Sequence, residues 1–575
     1  MAMADYSPDP ERDAKPRQES SSSTRSHFDS SSDSSESIET YSERTSLLYA
    51  HGPDYKSTET NSGEGESRYR DDDDDGGEVG DQPKGKSVFA IIALLMIGVF
   101  MSNADGSLVM ATYGTISSEF GALAEASWLT TSYSLASCAV QPITGKLCDI
   151  YGRKSVLLVS YVLFAVGSVV CGIGQSMSQV ISGRVIAGLG AAGMTVIVSI
   201  LITDLVPLIQ VASWRSYVNV VATIGRSIGG PLGGFLADTV GWRWSFIGQG
   251  PIITFAIILI TLRLPSHTSP AVRPPAQSKA NTQGQRQPSK LHRVDFVGAL
   301  LLASTIVSLL GALSLGGEEL PWSHPIVVGL GAASAVLGVL FVVFEVYGAL
   351  EPVFPPSLIV KRDVATAYGI ILLQAAAQLA MMFSIPLYFR TTQNSSNTTA
   401  GSHLFPAVLG NTAGGLLSGL YISRTGHYKS LSLLAALSSS LCYLILIIRW
   451  KGETGWWESL EIIPGGFGTG IAFSATFIGL TAGVEKSEMA VATSGLYLCS
   501  GLGMVVGVAG ASAVQVASLR ALLVEALRGV EGKASVSTPI FSHLPLFLPI
   551  PLNFLPSIFL SFAAGGLRPV LKLCC

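Results

Sequence analysis

From Val88 onward, the chain alternates apolar runs of about twenty residues with short polar interruptions. A helix needs about 20 apolar residues to cross the hydrocarbon core of a bilayer. Inside lipid every backbone amide needs a partner within its own helix, so these runs predict an all-helical membrane protein. The predicted spans are residues 88–110, 126–147, 155–174, 178–203, 214–237, 244–264, 294–316, 325–347, 364–389, 403–423, 430–449, 459–483 and 489–517, with a proline-interrupted fourteenth at 541–563.

Residues 1–87 have the opposite pattern, with stretches such as "SSSTRSHFDSSSDSSES" and "RDDDDDGGE". Such a Ser/Asp-rich segment buries too little apolar surface to offset its chain entropy, so we expect a disordered tail. Over the whole chain only 13% of residues are charged, against roughly a quarter in a soluble protein. The net charge of -4 describes mainly the tail and gives no reason to expect a nucleic-acid partner.

The distribution of Lys and Arg predicts the orientation of the spans. The loops 111–125, 175–177 and 317–324 contain neither residue, whereas the loop 265–293 is basic. Because cytosolic loops carry the excess of positive charge, we expect the N-terminus and the basic loops to be cytosolic. The sequons at Asn394 and Asn397 then fall on the opposite side, where glycosylation takes place.

Two similar turns indicate a repeated architecture. "GKLCDIYGRK" follows the second predicted span and "GLYISRTGHYK" follows the tenth, the positions expected for two halves of six spans with an inserted pair of helices between them. Transporter folds are commonly built from such repeats. The predicted parts are an N-terminal six-helix bundle (88–264), a cytosolic loop (265–293), the inserted pair (294–347), a C-terminal bundle (364–520) and an atypical end (521–575).

The first of these turns, "GKLCDIYGRKSVL", concentrates charge between two apolar runs. It is either a solvated loop with topology-setting charges or a charged latch that stabilises one conformation. Its order of Gly, three residues, Asp, two residues, Gly and two basic residues resembles the signature turn of the major facilitator superfamily. By that resemblance the latch consists of Gly145, Asp149, Gly152, Arg153 and Lys154.

Three other stretches resemble the same superfamily. "RVIAGLGAAGM" in the fourth span is similar to its arginine motif, with Arg184 as the arginine, and "ADGSLVMATYGTI" is similar to the aspartate motif of fourteen-span drug:proton antiporters, with Asp105 as the aspartate. "GRSIGGPLGG" is similar to the glycine–proline motif associated with antiporters. Its matching residues are Gly225, Gly229, Gly230, Pro231, Gly233 and Gly234.

The resemblance implies two helical bundles around a central site, here with two inserted helices and 13–14 spans in total. The stretches "SWLTTSYSLASCAVQPITGKLCDIYGRK", "ASWRSYVNVVATIGRSIGGPLGGFLADTVGWRWSF" and "GQGP" look more specifically like the fungal vacuolar basic amino acid transporters. This similarity extends over about residues 88–520. Beyond it, prolines at positions 545, 549, 551 and 556 predict that the last helix is broken or absent.

Asp105 is the main candidate for chemistry. An acidic residue near the bilayer centre costs about 2.5–3.5 kcal/mol on insertion scales, so it usually faces a cavity and has a function. We expect it to exchange a proton for a cationic substrate, with a purely structural aspartate as the alternative. Arg184 either perturbs a nearby carboxylate or extends toward headgroups, and Arg226 is expected to line the cavity and to pair with Asp105 or Asp204.

Polar residues within apolar spans are the candidates for the substrate pocket, although hydrogen bonds between helices explain them equally well. They are Asn219, Gln374, Gln378 and Asn411. The sequence contains no nucleotide-binding loop, no catalytic motif and no Cys/His cluster, so we expect no enzyme, cofactor or metal, and an ion gradient as the source of energy.

"ERTSLL" resembles an acidic dileucine sorting signal read by cytosolic adaptors, with Glu43, Leu47 and Leu48 as its matching residues. Together these features predict a proton-coupled antiporter that moves small cationic substrates, namely basic amino acids, across the vacuolar membrane. The alternatives are a plasma-membrane multidrug:proton exporter and a nutrient sensor that keeps the transporter fold without transport.

Overall fold

The computed structural model describes residues 85–122, 125–264, 295–316, 320–349, 352–395, 397–452 and 454–526 of the 575-residue chain. The tail 1–84, the whole of the predicted cytosolic loop 265–293 and the predicted span 541–563 lie outside these residues. Within the described part, the chain is helical throughout apart from its connections and one isolated bridge between Gly316 and Leu320.

The long helices overlap the predicted spans, and several of them extend beyond the predicted ends. The helices are α1 (Gly85–Glu119), α2 (Trp128–Tyr151), α3 (Arg153–Ile173), α4 (Met177–Leu205), α5 (Leu208–Thr239), α6 (Trp242–Ile247), α7 (Gln249–Arg263), α8 (Phe296–Leu315), α9 (Pro325–Tyr347), α10 (Pro356–Val360), α11 (Arg362–Gln393), α12 (Asn397–Ser402), α13 (Phe405–Thr425), α14 (Lys429–Arg449), α15 (Ile463–Ala482) and α16 (Met489–Ala526), with a 3₁₀ helix at Trp457–Ile462.

Eleven helical segments of the described chain are long and apolar enough to cross a membrane, with α6 and α7 together forming one of them. The two other predicted spans, 126–147 and 403–423, correspond to α2 and α13, which are equally long but richer in polar residues. Each of the thirteen predicted spans that falls within the described residues is therefore a helix.

The helices pack into two groups. In the first helix group (α1–α7), α1 packs against α5, α3 against α4, and α2 against α4. In the second helix group (α11–α16), α13 packs against α15, α11 against α16, and α14 against α15. The pair α8 and α9 pack on each other, and α8 also contacts α2 and α16.

The two groups touch where α5 meets α13 and where α2 meets α16. We call the end of the helices that carries the turn at Gly152 the motif side, and the opposite end the far side. The hydrogen bonds between the groups include those of Ser213 with Gly419 and of Ser494 with Pro142, which lie close to the motif side. The two helix groups are therefore closed against each other on the motif side.

Candidate functional site

Asp105 lies in the interior of the first helix group. Its side chain has no exposed surface, its Oδ2 accepts a hydrogen bond from Arg184 Nη1 at 2.6 Å, and its Oδ1 accepts one from Gln249 Nε2 at 3.0 Å. Helices α1, α4 and α7 thus meet at this carboxylate. The expectation that Asp105 faces a cavity is wrong for this conformation, because protein surrounds it completely.

The direction of Asp105 follows from the packing of α1. Ser107 faces α5 and donates to the backbone oxygen of Arg226 at 2.6 Å. Successive helical residues turn by about 100°, so Asp105 points about 160° away from Ser107. Because the Asp105 side chain has no exposed surface, a solute between the two helix groups does not contact it in this conformation.

Arg184 is enclosed within the first helix group, although its Nη2 is buried without a hydrogen-bond partner among the described residues. Its side chain is 1% exposed, its Nε donates to the Leu129 carbonyl at 3.0 Å, and its guanidinium lies 4.2 Å from the centre of the Tyr133 ring. The alternative in which Arg184 extends toward headgroups is wrong. A buried ion pair of this kind depends on both partners, since removing one typically costs 3–5 kcal/mol.

The charged turn contains a second ion-pair network. Arg153 donates from Nη1 to Asp149 Oδ1 at 2.8 Å and from Nε to Asp204 Oδ2 at 3.2 Å. The Arg153 side chain is 4% exposed, so the interpretation of the turn as merely solvated does not describe this residue. The network ties the end of α2 and the start of α3 to the end of α4.

The other residues of the predicted latch serve different contacts. Lys154 Nζ donates to the carbonyls of Thr261 and Leu264, which satisfies the end of α7. Gly152 has a φ of 88°, the conformation that glycine adopts without strain at this reversal. Gly145 faces the second helix group, because a Cβ there would lie 2.6 Å from the carbonyl oxygen of Ala490.

The glycine–proline motif lies on α5 and does not act as one surface. A Cβ on Gly225, Gly229 or Gly233 would collide with the backbone of α1, whereas a Cβ on Gly234 would meet nothing within 4 Å. Gly230 has only Ser107 near it, at 3.4 Å. Three glycines therefore allow the close approach of α5 to α1, and two do not contribute to it.

Pro231 lies inside α5. Because proline has no backbone N–H, the helix lacks one of its own hydrogen bonds at this position. The same motif segment begins with Gly225 and Arg226.

The pairing predicted for Arg226 is wrong. Asp105 is bonded to Arg184 and Asp204 to Arg153, while the Arg226 side chain is exposed and its Nε donates to the Ala222 carbonyl of its own helix. Local sequence does not show which arginine each carboxylate contacts, because that depends on how the helices pack against one another.

The four pocket candidates do not converge. Asn219 donates to Asn411 at 2.7 Å across the interface between the two helix groups. Gln374 donates to Ser439 and Thr469 within the second helix group, and Gln378 Nε2 lies 3.8 Å from the sulfur of its neighbour Met382. Of the four, the two asparagines are the ones whose hydrogen bond crosses between the groups in the described part of the chain.

Sequence reasoning missed Arg215, which lies at the same interface. Its side chain is 6% exposed, and its Nη1 donates to Ser199 Oγ at 2.5 Å and to Tyr497 Oη at 2.6 Å. The predicted span began at residue 214, so Arg215 resembled a charge at a helix end. The helix in fact begins at Leu208, which places Arg215 two turns inside it.

A cavity of about 130 Å³ opens elsewhere, inside the second helix group near the motif side. Asp363, Lys429 and Thr476 are among the residues that line it, and the predicted pocket residues are not.

A family model described as the Major Facilitator Superfamily matches residues 95–508. The chain belongs to this superfamily. Its members are membrane transporters, so the predicted fold class and the prediction of a transporter embedded in the bilayer are confirmed.

Two fission-yeast proteins are among the similar chains. The vacuolar membrane amino acid uptake transporter fnx2 of Schizosaccharomyces pombe is 32% identical over 430 residues, which cover 74% of this chain and 72% of that protein. The multidrug resistance protein fnx1 of the same organism is 30% identical over 427 residues, covering 73% of this chain and 77% of that protein.

Solved structures show the same fold at low identity. The human organic anion transporter MFSD10 aligns with a TM-score of 0.56 and 15% identity, covering 85% of this chain and 99% of that one. A double-tryptophan mutant of XylE aligns with a TM-score of 0.53 and 11% identity, covering 84% and 95%. At such identities the likeness concerns the fold alone.

The predicted sorting signal and glycosylation sites are not tested by the structure. Glu43, Leu47 and Leu48 lie outside the described residues, so the sorting signal stays a prediction. Asn394 is exposed at the end of α11 with a φ of 51°, and Asn397 begins α12. Glycosylation at these sequons likewise stays a prediction.

Proposed function

We propose that the chain is a proton-coupled antiporter that moves amino acids, basic ones in particular, across the vacuolar membrane. The observation that carries this proposal is the buried Asp105–Arg184 ion pair, which places a proton acceptor inside the first helix group. The similarity to a vacuolar membrane amino acid uptake transporter supports the substrate class and the membrane.

The geometry changes the mechanism expected from the sequence. Because Asp105 is sealed in this conformation, a substrate cation does not replace the proton on the carboxylate directly. Protonation of Asp105 instead neutralises the partner of Arg184 and leaves a buried guanidinium without a countercharge, which favours rearrangement of α1, α4 and α7. Asp105 and Arg184 therefore couple the proton to the conformation of the first helix group.

The motif turn has a complementary part in this scheme. The Asp149–Arg153–Asp204 network holds α2, α3 and α4 together on the side where the two helix groups are closed. In our proposal this network stabilises the closed state, and the two groups are the bodies that alternate. The motif side is the cytosolic side, as the Lys and Arg distribution predicts.

Uptake by isolated vacuoles tests this function. We expect ATP-dependent uptake of labelled lysine that a protonophore abolishes, and we expect Asp105→Asn to lose this concentrative uptake. Because Asp105→Asn leaves Arg184 without its carboxylate, the double variant Asp105→Asn with Arg184→Gln controls for misfolding. Full concentrative uptake by either variant would contradict the coupling role.

A plasma-membrane multidrug exporter is the second candidate, and the similarity to the multidrug resistance protein fnx1 favours it. Tagged full-length protein on the plasma membrane, together with drug sensitivity of the deletion strain, would replace the amino acid proposal. Absence of any flux, with a growth response to amino acids retained, would identify a sensor.

A further inference from the structure

Three polar residues lie on one face of α5. Arg215, Asn219 and Arg226 are separated by four and seven residues, and at about 100° per residue they fall within about 40° of one another. Arg226 lies about 16 Å farther along the helix than Arg215, toward the far side. Asn219, between them, is bonded to Asn411 of the second helix group, so this face of α5 is directed toward the space between the groups.

Arg226 occupies the accessible part of this space. Its side chain is exposed, and it points about 160° away from Ile224 and Ile228, the exposed apolar residues of the outer face of α5, so it lies on the inner face of this helix. The bond from Ser107 to its carbonyl fixes its backbone against α1. Within the described residues, its guanidinium makes one hydrogen bond, to its own helix, so the planar group is free to bind a ligand.

Arg215 occupies the closed part of the same space. Tyr497 and Phe477 of the second helix group cover it, with the Tyr497 hydroxyl at 2.6 Å and the centre of the Phe477 ring at 4.3 Å. Its Nε is buried and has no hydrogen-bond partner among the described residues. Both aromatic side chains must move away from Arg215 when the two groups separate on the motif side.

Neither arginine is paired with a carboxylate in the described part of the chain. Asp105 lies on the part of α1 that contacts Arg226 through Ser107, but its carboxylate is bonded to Arg184 and has no exposed surface. A guanidinium inside the membrane region is costly without a countercharge. Its flat fork of N–H donors matches a carboxylate with two parallel hydrogen bonds.

We propose that Arg226 and Arg215 are alternating binding positions for the carboxylate of the transported solute. Arg226 binds it in the conformation closed on the motif side, and Arg215 binds it when Tyr497 and Phe477 withdraw. This inference rests on the proposed transport function and deepens it, because it names the α-carboxylate, in place of the cationic side chain, as the group that both conformations recognise.

Amines that lack the carboxylate separate this inference from the transport proposal. The purified full chain is titrated with lysine, arginine and histidine, and with their decarboxylated counterparts cadaverine, agmatine and histamine, while its melting temperature is recorded. We expect the amino acids to stabilise the protein and the amines to fail. Equal stabilisation by the amines would overturn the inference even if lysine is transported.

Substitution of Arg226 is the second test of the inference. We expect Arg226→Gln to weaken lysine binding about tenfold or more and Arg226→Lys to retain part of it, because charged hydrogen bonds contribute about 1.5–3 kcal/mol. Arg449→Gln is the matched control, since Arg449 is exposed and paired with Glu461 away from the cleft. Unchanged lysine affinity in Arg226→Gln would overturn the inference.

Arg215 is tested by transport from the motif side. We expect Arg215→Gln to raise the KM for lysine about tenfold, whereas Tyr497→Phe, which removes the covering hydroxyl and keeps the guanidinium, does not raise it. A KM that Arg215→Gln leaves unchanged would contradict the second position.

Failure of the proposed function gives a different experimental result from failure of this inference. The protein could bind no amino acid and yet bind another carboxylate, for example succinate but not succinate diamide. If Arg226→Gln abolishes that binding, the inference about Arg226 holds and the assignment of amino acids as the substrate is wrong. If no carboxylate stabilises the wild-type protein, the inference fails.

Discussion

At the scale of single residues, Arg153 and Lys154 are neighbours in the chain but act in different contacts. Arg153 joins two carboxylates, of Asp149 and Asp204, in a partly buried network. Lys154 donates to carbonyls at the end of α7. The family motif treats the two as a basic pair, and only the three-dimensional contacts separate an ion-pair network from a helix cap.

This difference gives a prediction about transport rate. Arg153→Gln leaves two carboxylates side by side without their shared cation, so we expect the closed state to lose stability and the transport rate to fall about tenfold or more. Lys154→Gln, the matched control, keeps the network and is expected to lower mainly the melting temperature. Initial rates of lysine uptake, normalised to folded protein, measure both effects. Equal loss of transport in both variants would contradict the distinction.

Glycine residues of one motif also differ in their surroundings. Gly229 faces the backbone of α1, where a Cβ would lie 2.9 Å from the carbonyl carbon of Ala104, and Gly234 faces open space. We therefore expect Gly229→Ala to separate α5 from α1 and to lower the melting temperature of the solubilised protein by several degrees. Gly234→Ala is expected to leave it unchanged. A similar loss in both variants would show that the motif packs as a single surface.

At the scale of helices, Gly145 controls how closely α2 approaches α16. A Cβ there would lie 2.6 Å from the Ala490 carbonyl and 2.7 Å from Ser494 Oγ, both in the second helix group. We expect Gly145→Val to prevent closure on the motif side, since its side chain has no space. Gly114→Val is the control, because a Cβ at Gly114 meets nothing within 4 Å.

Accessibility of an introduced cysteine measures this closure. In a chain without its native cysteines, Ser494→Cys should react with a membrane-impermeant thiol reagent added to the motif side more rapidly when Gly145 is valine. An unchanged rate would contradict the role of Gly145 in closure.

The extent of the helices was largely predictable from sequence because an apolar run of sufficient length has one stable structure in lipid. Helix ends were less predictable. α1 continues to Glu119, beyond the predicted 110, and α5 begins at Leu208, before the predicted 214, because polar residues extend a helix without raising its hydropathy. The second difference concealed Arg215, the residue that our inference uses.

The arrangement of the site was predictable only in part. The motifs indicated Asp105 and Arg184 individually, but their pairing depends on how α1 packs against α4. The pairing expected for Arg226 was wrong for the same reason. Sequence periodicity shows which residues share a face of one helix, and it does not show which face of another helix lies opposite.

At the scale of the whole molecule, the two helix groups are joined by polar contacts that must break during transport. Asn219 and Asn411 form one such contact, at 2.7 Å. We expect a short thiol cross-linker between Asn219→Cys and Asn411→Cys to stop lysine transport, and reduction of a cleavable linker to restore it. The control pair Gln374→Cys and Ser439→Cys lies within one group, so its cross-link should leave transport intact. Transport through the cross-linked Asn219–Asn411 pair would contradict alternation of the two groups.

Gradient-driven transport in proteoliposomes tests most directly whether the buried carboxylate couples transport to the proton gradient. The full chain is reconstituted with an acidic interior, labelled lysine is supplied outside, and Asp105→Asn is compared with the wild type. We predict that the wild type accumulates lysine above its external concentration until the pH gradient is collapsed, and that Asp105→Asn at most equilibrates it. Accumulation by Asp105→Asn equal to that of the wild type, or no movement of any amino acid through the folded wild type, would contradict proton coupling through the buried carboxylate.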